Sequence, residues 1–166
     1  MKTKNHHKLS NYWSFVIFGI LFFTISSCVN GPLFDQNKEV DNTWSPAEKL
    51  NFQVDVKDTI SPFDFYINIR NSTDYKYSNL YFFMKTIFPN KQIAIDTIEC
   101  YLADNQGNWL GKGFGKYRDQ QILFKRNGRF PMSGIYQIQI EQATRDINLI
   151  GIKAIGIRIE KYVKKQ

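Results

Sequence analysis

The sequence predicts an all-β fold in which two antiparallel sheets pack face to face. In several segments apolar residues recur at every second position, which is the period of a strand with one buried face. Short polar stretches with Asn, Asp, Gly and Pro separate these segments. The 14 Phe and 9 Tyr residues fit an aromatic-rich core between sheets. We therefore expect an antiparallel β-sandwich of about seven or eight strands, immunoglobulin-like or jelly-roll-like.

The first strands are predicted by strict alternation. Apolar and polar residues alternate through residues 50–56 and again through residues 63–70. Residues 79–88, "NLYFFMKTIF", are apolar on both faces, which indicates a central strand, although a short buried helix would give the same pattern.

The later strands continue this pattern. They are "IAIDTIECYLA", "QILFKR", "GIYQIQIEQ" and "AIGIRIEK". Alternation places two sets of residues inward: Tyr136, Ile138 and Ile140 in one strand, and Ile155, Ile157 and Ile159 in the last. Only "EQATRDINLIG" indicates a helical turn.

The N-terminal segment has the order of an export signal. Lysines precede an uncharged run from Trp13 to Phe23, which is too short to span a bilayer as a helix. Ile25, Ser26, Ser27 and Cys28 then match a bacterial lipobox, in which the cysteine receives a diacylglycerol and, after cleavage, an N-acyl chain. The alternative is that Cys28 lies in an ordinary signal peptide or an anchor helix.

The lipobox gives a division of the chain. Residues 1–27 are predicted to be a lipoprotein signal peptide, residues 28–39 a lipidated N-terminus and tether, and residues 40–162 the β-sandwich domain. Two or three acyl chains anchor a protein stably, so we expect the mature chain to stay on a membrane surface. The covalent lipid on Cys28 is the sole prosthetic group expected, and we expect no other cofactor.

Removing the signal peptide also removes most of the candidate chemistry. Both histidines and three lysines are lost, and the formal net charge falls from +7 to +4. Without histidine, neither a Ser-His-Asp or Cys-His site nor a His-rich zinc site is available, so no catalytic or metal-binding residue is predicted. The reduced charge argues against a nucleic-acid partner. Cys100 is in phase with Ile98 and Leu102, which favours a buried thiol over a reactive one.

Residues 107–130 are the candidate interaction surface. The "GKGFG" stretch lacks P-loop spacing and is expected to form an irregular loop or bulge. Basic and aromatic residues interleave in this segment, so it could bind an anionic partner, lipid headgroups or a glycan, or be only a solvated rim. The candidate residues are Trp109, Lys112, Phe114, Lys116, Tyr117, Arg118, Lys125, Arg126 and Arg129.

Longer stretches carry a resemblance to a known family. The segment "DTIECYLADNQGNWLGKGFGKYRDQQILFKRNGRFPMSGIYQIQIEQATR", followed by "LIGIKAIGIRIEK", resembles the gliding-motility lipoprotein GldH family. The similarity runs from about Val40 to Lys161. Only Cys28 corresponds to a position with a defined role in the family, that of the lipidated residue.

The resemblance implies a non-enzymatic protein of the cell envelope. It implies an accessory or structural part of the gliding machinery linked to type IX secretion, with other gliding or secretion proteins as partners. It also implies lipid anchoring, most simply in the outer membrane and facing the periplasm. The alternative function is an envelope module that binds a glycan or a lipid.

Overall fold

The computed structural model describes residues 31–41 and 43–164 of the chain. The chain divides into Met1–Gly31 and Pro32–Gln166, and everything described below belongs to the second unit. Its strands, in chain order, are β1 (Phe34–Glu39), β2 (Thr43–Trp44), β3 (Leu50–Val56), β4 (Phe63–Ser72), β5 (Asn79–Ile87), β6 (Ile93–Tyr101), β7 (Tyr117–Gly128), β8 (Gly134–Gln142), β9 (Leu149–Ile150) and β10 (Ile152–Lys161).

The eight long strands form two four-stranded antiparallel sheets. The first sheet has the order β1-β10-β4-β7 and the second has β3-β8-β5-β6, while β2 and β9 pair separately. Counting the long strands alone, these orders are 1-8-3-6 and 2-7-4-5, which is the jelly-roll arrangement. The predicted β-sandwich is confirmed, and the strand order distinguishes the jelly roll from the immunoglobulin-like alternative.

The core lies between the inner faces of the sheets. Strand β3 alternates strictly between buried and exposed residues, as its sequence predicts. The inward sets predicted for the last two long strands are also buried, with Tyr136 2 % exposed and Ile155 fully buried. Cys100 is a free, fully buried cysteine, as expected for a small apolar core residue.

Three strands lie where the sequence does not predict them. Strand β1 falls within residues 28–39, for which the sequence predicts a tether, and it pairs with the distant β10 from Phe34↔Ile159 to Glu39↔Ala154. Strands β2 and β9 are two residues each. The helical turn expected near residues 141–151 does not form, because bends and β9 occupy that segment.

Of the two structures that the sequence allows for residues 79–88, the strand is the one that forms. Strand β5 lies between β8 and β6, so the central position predicted for it is confirmed. None of the described residues forms a helix of the length and apolarity needed to cross a membrane.

The connections between strands alternate between the two ends of the sandwich. One end, which we call the tether end, contains the links 57–62, 88–92 and 129–133 together with residues 32–33 and 162–164. The links 40–49, 73–78, 102–116 and 143–151 lie at the opposite end. Antiparallel pairing fixes this division, since each strand runs from one end to the other.

Candidate interaction surface

Strand β7 divides the predicted surface into two groups. Trp109, Lys112, Phe114, Lys116, Tyr117 and Arg118 lie in or beside link 102–116, at the opposite end. Lys125, Arg126 and Arg129 lie towards the tether end. The nine residues from Tyr117 to Lys125 span roughly 26 Å at the usual rise of an extended strand. The basic segment is therefore two separate surfaces.

Glycines shape the link that carries the first group. A Cβ atom on Gly113 would overlap the carbonyl oxygen of Tyr117, and Gly115 has a φ of +64°. Lys112 and Asp119 exchange backbone hydrogen bonds of 2.8 and 2.7 Å across this turn. The irregular, glycine-dependent loop predicted by the sequence is confirmed.

Two of the three positive charges of the first group, those of Lys116 and Arg118, have partners. The Lys116 ammonium lies 2.7 Å from an Asp74 carboxylate oxygen and lowers the pKa of that carboxyl. Arg118 donates from Nη1 to the carbonyl oxygens of Gly115 and Tyr117, at 2.7 and 2.8 Å. These contacts hold the loop on the sheet and reduce the charge available to a ligand.

The aromatic residues of this group differ in exposure. Trp109 is half-buried and packs against the core, so its ring stabilises the domain and is not free to bind a partner. Phe114 is fully exposed, and Tyr117 is 42 % exposed. Phe114 and Tyr117 are therefore the rings that can meet a partner.

The second group is fixed at the other end of β7. The Lys125 ammonium lies 5.6 Å from the centroid of the Phe65 ring, and Arg129 donates from Nε to the Ile60 carbonyl oxygen at 3.0 Å. Arg126 is exposed. This group joins β7 to link 57–62.

A polar groove lies on the outer face of the first sheet. Asn68 donates from Nδ2 to Asn37 Oδ1, and Gln121 donates from Nε2 to Asn68 Oδ1, both at 3.0 Å. Gly156 lies in register with Asn37 and with Asn68, and its lack of a side chain lets the amides meet.

The groove has a volume of about 810 Å³ and continues past a charged pair. Arg70 donates to both carboxylate oxygens of Asp119, at 2.7 and 3.0 Å, which raises the pKa of the guanidinium. Alternation predicts that these side chains face outward, but no sequence signal shows that residues from four distant segments meet.

An apolar strip runs along the open edge of the second sheet. Strand β6 pairs only with β5 among the described strands, so its other edge is open. Its outward side chains include Ile95, which is 66 % exposed, and Tyr101, which is 59 % exposed. The β6 strip is Tyr81, Phe83, Ile93, Ile95 and Tyr101. Sequence reasoning treated the β5 aromatics as core and missed this surface.

Two carboxylates that could take part in acid or base chemistry, those of Asp104 and Glu99, have structural partners. Asp104 accepts hydrogen bonds from the backbone of Gln106 and from Asn108, and the latter lower the pKa of its carboxyl. Hydrogen bonds from Tyr81 and Asn79 lower the pKa of the Glu99 carboxyl. Within residues 31–41 and 43–164 no group of three potential metal ligands occurs. Burial raises the pKa of the Cys100 thiol to about 12, which keeps it protonated.

Cys28 lies outside the described residues, and its lipidation remains a prediction. The identity of the chain rests instead on comparison with known proteins. The family model described as GldH lipoprotein matches residues 32–159.

Two relatives match over most of their own length. A protein of Christiangramia forsetii named gliding motility lipoprotein GldH homolog is 37 % identical over 152 residues, covering 87 % of this chain and 92 % of the relative. The gliding motility lipoprotein GldH of Flavobacterium johnsoniae is 27 % identical over 161 residues, covering 93 % and 98 %. With the family model matching well over half of its length, the chain belongs to the GldH lipoprotein family.

Proposed function

We propose that this lipid-anchored cell-envelope protein is an accessory or structural component of the gliding machinery and its linked type IX secretion system. The names of the two relatives support a role in gliding motility. We further propose that Cys28 carries the lipid, that the anchor lies in the outer membrane, and that the domain faces the periplasm. The role is non-enzymatic, which fits the structural tasks of Asp104, Glu99 and Cys100.

The exposed β6 strip is the observation that best supports a structural role in an envelope assembly. Natural sheets normally protect an open edge with charges, prolines or bulges. Strand β6 carries the acidic residues Asp96 and Glu99, yet it also presents Ile93 and Ile95, 55 % and 66 % exposed, beside the half-exposed ring of Phe83. A partner strand could add its hydrogen bonds to this edge and cover these side chains. A protein that assembles with partners needs such a surface. In a protein without partners, the same exposed edge would promote aggregation.

Replacing the apolar side chains without disturbing the strand tests the role. Threonine keeps the β-branched shape and removes apolar surface, so Ile93→Thr with Ile95→Thr should fold normally. In cells that depend on this gene, we expect the variant to remain at normal abundance while colony spreading, adhesin secretion and crosslinked recovery of envelope partners fall together.

A matched control removes equal apolar surface elsewhere. Ile147 and Ile150 are 75 % and 58 % exposed at the opposite end of the sandwich. Ile147→Thr with Ile150→Thr should leave spreading, secretion and partner recovery unchanged. If the β6 variant spreads, secretes and crosslinks like the unmodified protein, the β6 strip is not the assembly surface.

The polar groove supports glycan binding as a second candidate function. Its amide side chains and its Arg70–Asp119 pair can exchange hydrogen bonds with sugar hydroxyls, and Phe114 is exposed at the same end of the molecule. Binding on a glycan array that is lost in Asn68→Ala, and kept in Asn51→Ala on the second sheet, would favour this function. Added salt should weaken it little, since the contacts are mostly neutral.

A further inference from the structure

The tether end is the end of the sandwich at which the described chain begins. Strand β1 begins at Phe34, which pairs with Ile159, and β10 ends at Lys161, which pairs with Phe63. Gly128 at the end of β7 also pairs with Phe63. In the second sheet, a Cβ on Gly134 would contact Pro89, so link 88–92 reaches the same end.

Charge is distributed unequally between the two ends. The links and chain termini of the tether end carry four basic residues and only one acidic residue, Asp58. Three more basic residues stand in the last positions of the adjoining strands. The seven are Lys57, Lys91, Lys125, Arg126, Arg129, Lys161 and Lys164.

The acidic side chains near these seven have partners, and two of the seven are among those partners. The Lys161 ammonium lies 3.2 Å from Asp58, and the Lys57 ammonium lies 3.7 Å from Asp55. Asp64 is 8 % exposed and accepts a hydrogen bond of 2.9 Å from the Asn127 backbone. Glu160 accepts from Arg158 at 2.9 Å. At the opposite end the described links carry five basic residues, Lys49, Lys76, Lys112, Lys116 and Arg145, against five acidic ones, Asp41, Glu48, Asp74, Asp104 and Asp146. Counting described links and chain termini alone, the tether end has a net charge of +3 and the opposite end a net charge of zero, so the positive field is stronger at the tether end.

Packing makes the tether end one continuous surface. The Phe130 ring lies 5.5 Å from the Phe63 ring of the first sheet and 5.1 Å from the Tyr136 ring of the second, measured between centroids. The Tyr162 backbone N–H donates to the Pro62 carbonyl oxygen at 2.9 Å. These contacts hold links 57–62 and 129–133, and the chain next to Lys161, together at this end of the sandwich.

Two exposed apolar side chains stand among these cations. Ile60 is 84 % exposed and Val163 is 76 % exposed. Cations flanking exposed apolar groups are typical of surfaces that rest on a membrane, because the charges meet headgroups while the apolar groups enter the interface.

The covalent chain keeps this end near any lipid on Cys28. Five residues lie between Cys28 and Phe34, and the six Cα–Cα steps extend at most about 21 Å. Strand β7 is longer than this path, since its twelve residues span roughly 40 Å.

We propose that the tether end docks on anionic phospholipid headgroups of the membrane that holds the anchor. This inference rests on the proposed lipidation of Cys28. Docking would place the opposite end of the sandwich, with link 102–116 and Phe114, on the side away from the bilayer.

Paramagnetic broadening of NMR signals tests the docking. The mature lipidated protein is placed in nanodiscs of phosphatidylcholine, alone or mixed with phosphatidylglycerol, that contain a trace of gadolinium-chelating lipid. With phosphatidylglycerol we expect amide broadening several-fold stronger in links 57–62 and 129–133 than in links 73–78 and 143–151. Added salt or phosphatidylcholine alone should reduce the difference, because screening or loss of the anionic headgroups weakens the attraction.

Charge variants identify the residues responsible. Lys91→Gln, Arg126→Gln and Lys164→Gln remove three charges from the tether end, and the matched control is Lys76→Gln, Lys112→Gln and Arg145→Gln. Each cation near an anionic surface contributes about fivefold to binding, so the first triple variant should weaken docking roughly a hundredfold. The control should behave like the unmodified protein.

The outcomes separate docking from anchoring. Intact mass reports the acyl chains independently of orientation. If an acylated protein shows equal broadening at both ends, or the same pattern in both triple variants, docking is overturned and the anchor stands. A protein without acyl chains overturns the Cys28 anchor, and the docking with it.

Discussion

Gly156 shows how one residue sets the geometry of the polar groove. A Cβ at this position would meet the Asn37 side-chain oxygen and would come within 2.7 Å of the Gln36 carbonyl oxygen. In an ordinary strand, a glycine makes the protein less stable than an alanine would, by up to about 1 kcal/mol. Here we expect Gly156→Ala to lower the free energy of unfolding by about 1–3 kcal/mol, because the overlap outweighs the gain in chain entropy. Urea denaturation measures this.

A second variant distinguishes the overlap from a general effect. Removing the amide with Asn37→Ala in the Gly156→Ala background should restore part of the lost stability, since only the carbonyl contact then remains. If Asn37→Ala instead adds its own full cost to that of Gly156→Ala, the two side chains do not compete for the same space.

Cys100 is expected to be chemically silent in the folded protein. Its thiol is fully buried, and burial raises its pKa to about 12. Since the thiolate is the reactive species, alkylation should be at least roughly a thousandfold slower in native protein than in unfolded protein. Iodoacetamide labelling with peptide mapping, in buffer and in denaturing urea, measures the ratio. Rapid native labelling at Cys100 would contradict the buried assignment.

At the scale of elements, the sequence predicts strands best where one face is buried. The alternation in the sequences of β3 and β8 matches their alternating burial, because side chains of successive strand residues point to opposite faces. Strand β1 has the sequence "FDQNKE", in which only Phe34 is apolar. It is held by backbone pairing with β10, more than a hundred residues away, and no local pattern reports such a partner.

Link 129–133 carries a residue that joins the two sheets. Phe130 is 7 % exposed and contacts Phe63, Phe65 and Tyr136. Phe130→Ala should lower the free energy of unfolding by about 3–5 kcal/mol, since it leaves a cavity among rings of both sheets. The matched control is Phe114→Ala, whose fully exposed ring should contribute within about 0.5 kcal/mol. Equal losses in the two variants, measured by urea denaturation, would show that Phe130 does not tie the sheets together.

The candidate surfaces are predictable from the sequence only in part. The basic residues of segment 107–130 are visible as a run, but β7 separates them into two groups. Lys57, Lys91, Arg129 and Lys164 stand more than thirty residues apart, and the jelly-roll topology gathers them at one end. A surface assembled from links of distant strands leaves no contiguous signal, so it requires the strand order before it can be recognised.

At the scale of the whole molecule, position in the cell depends on Cys28. The lipobox predicts that only this cysteine is acylated, so Cys28→Ser should lose incorporation of labelled palmitate and keep its signal peptide. The higher mass of the uncleaved chain is the second readout, because an unprocessed apolar segment can itself retain protein on membranes. Cys100→Ser is the matched control, since Cys100 is buried within the core, and it should be acylated and cleaved normally. Palmitate labelling that persists in Cys28→Ser, or that disappears in Cys100→Ser, would place the anchor elsewhere and remove the reason for the tether end to face the bilayer.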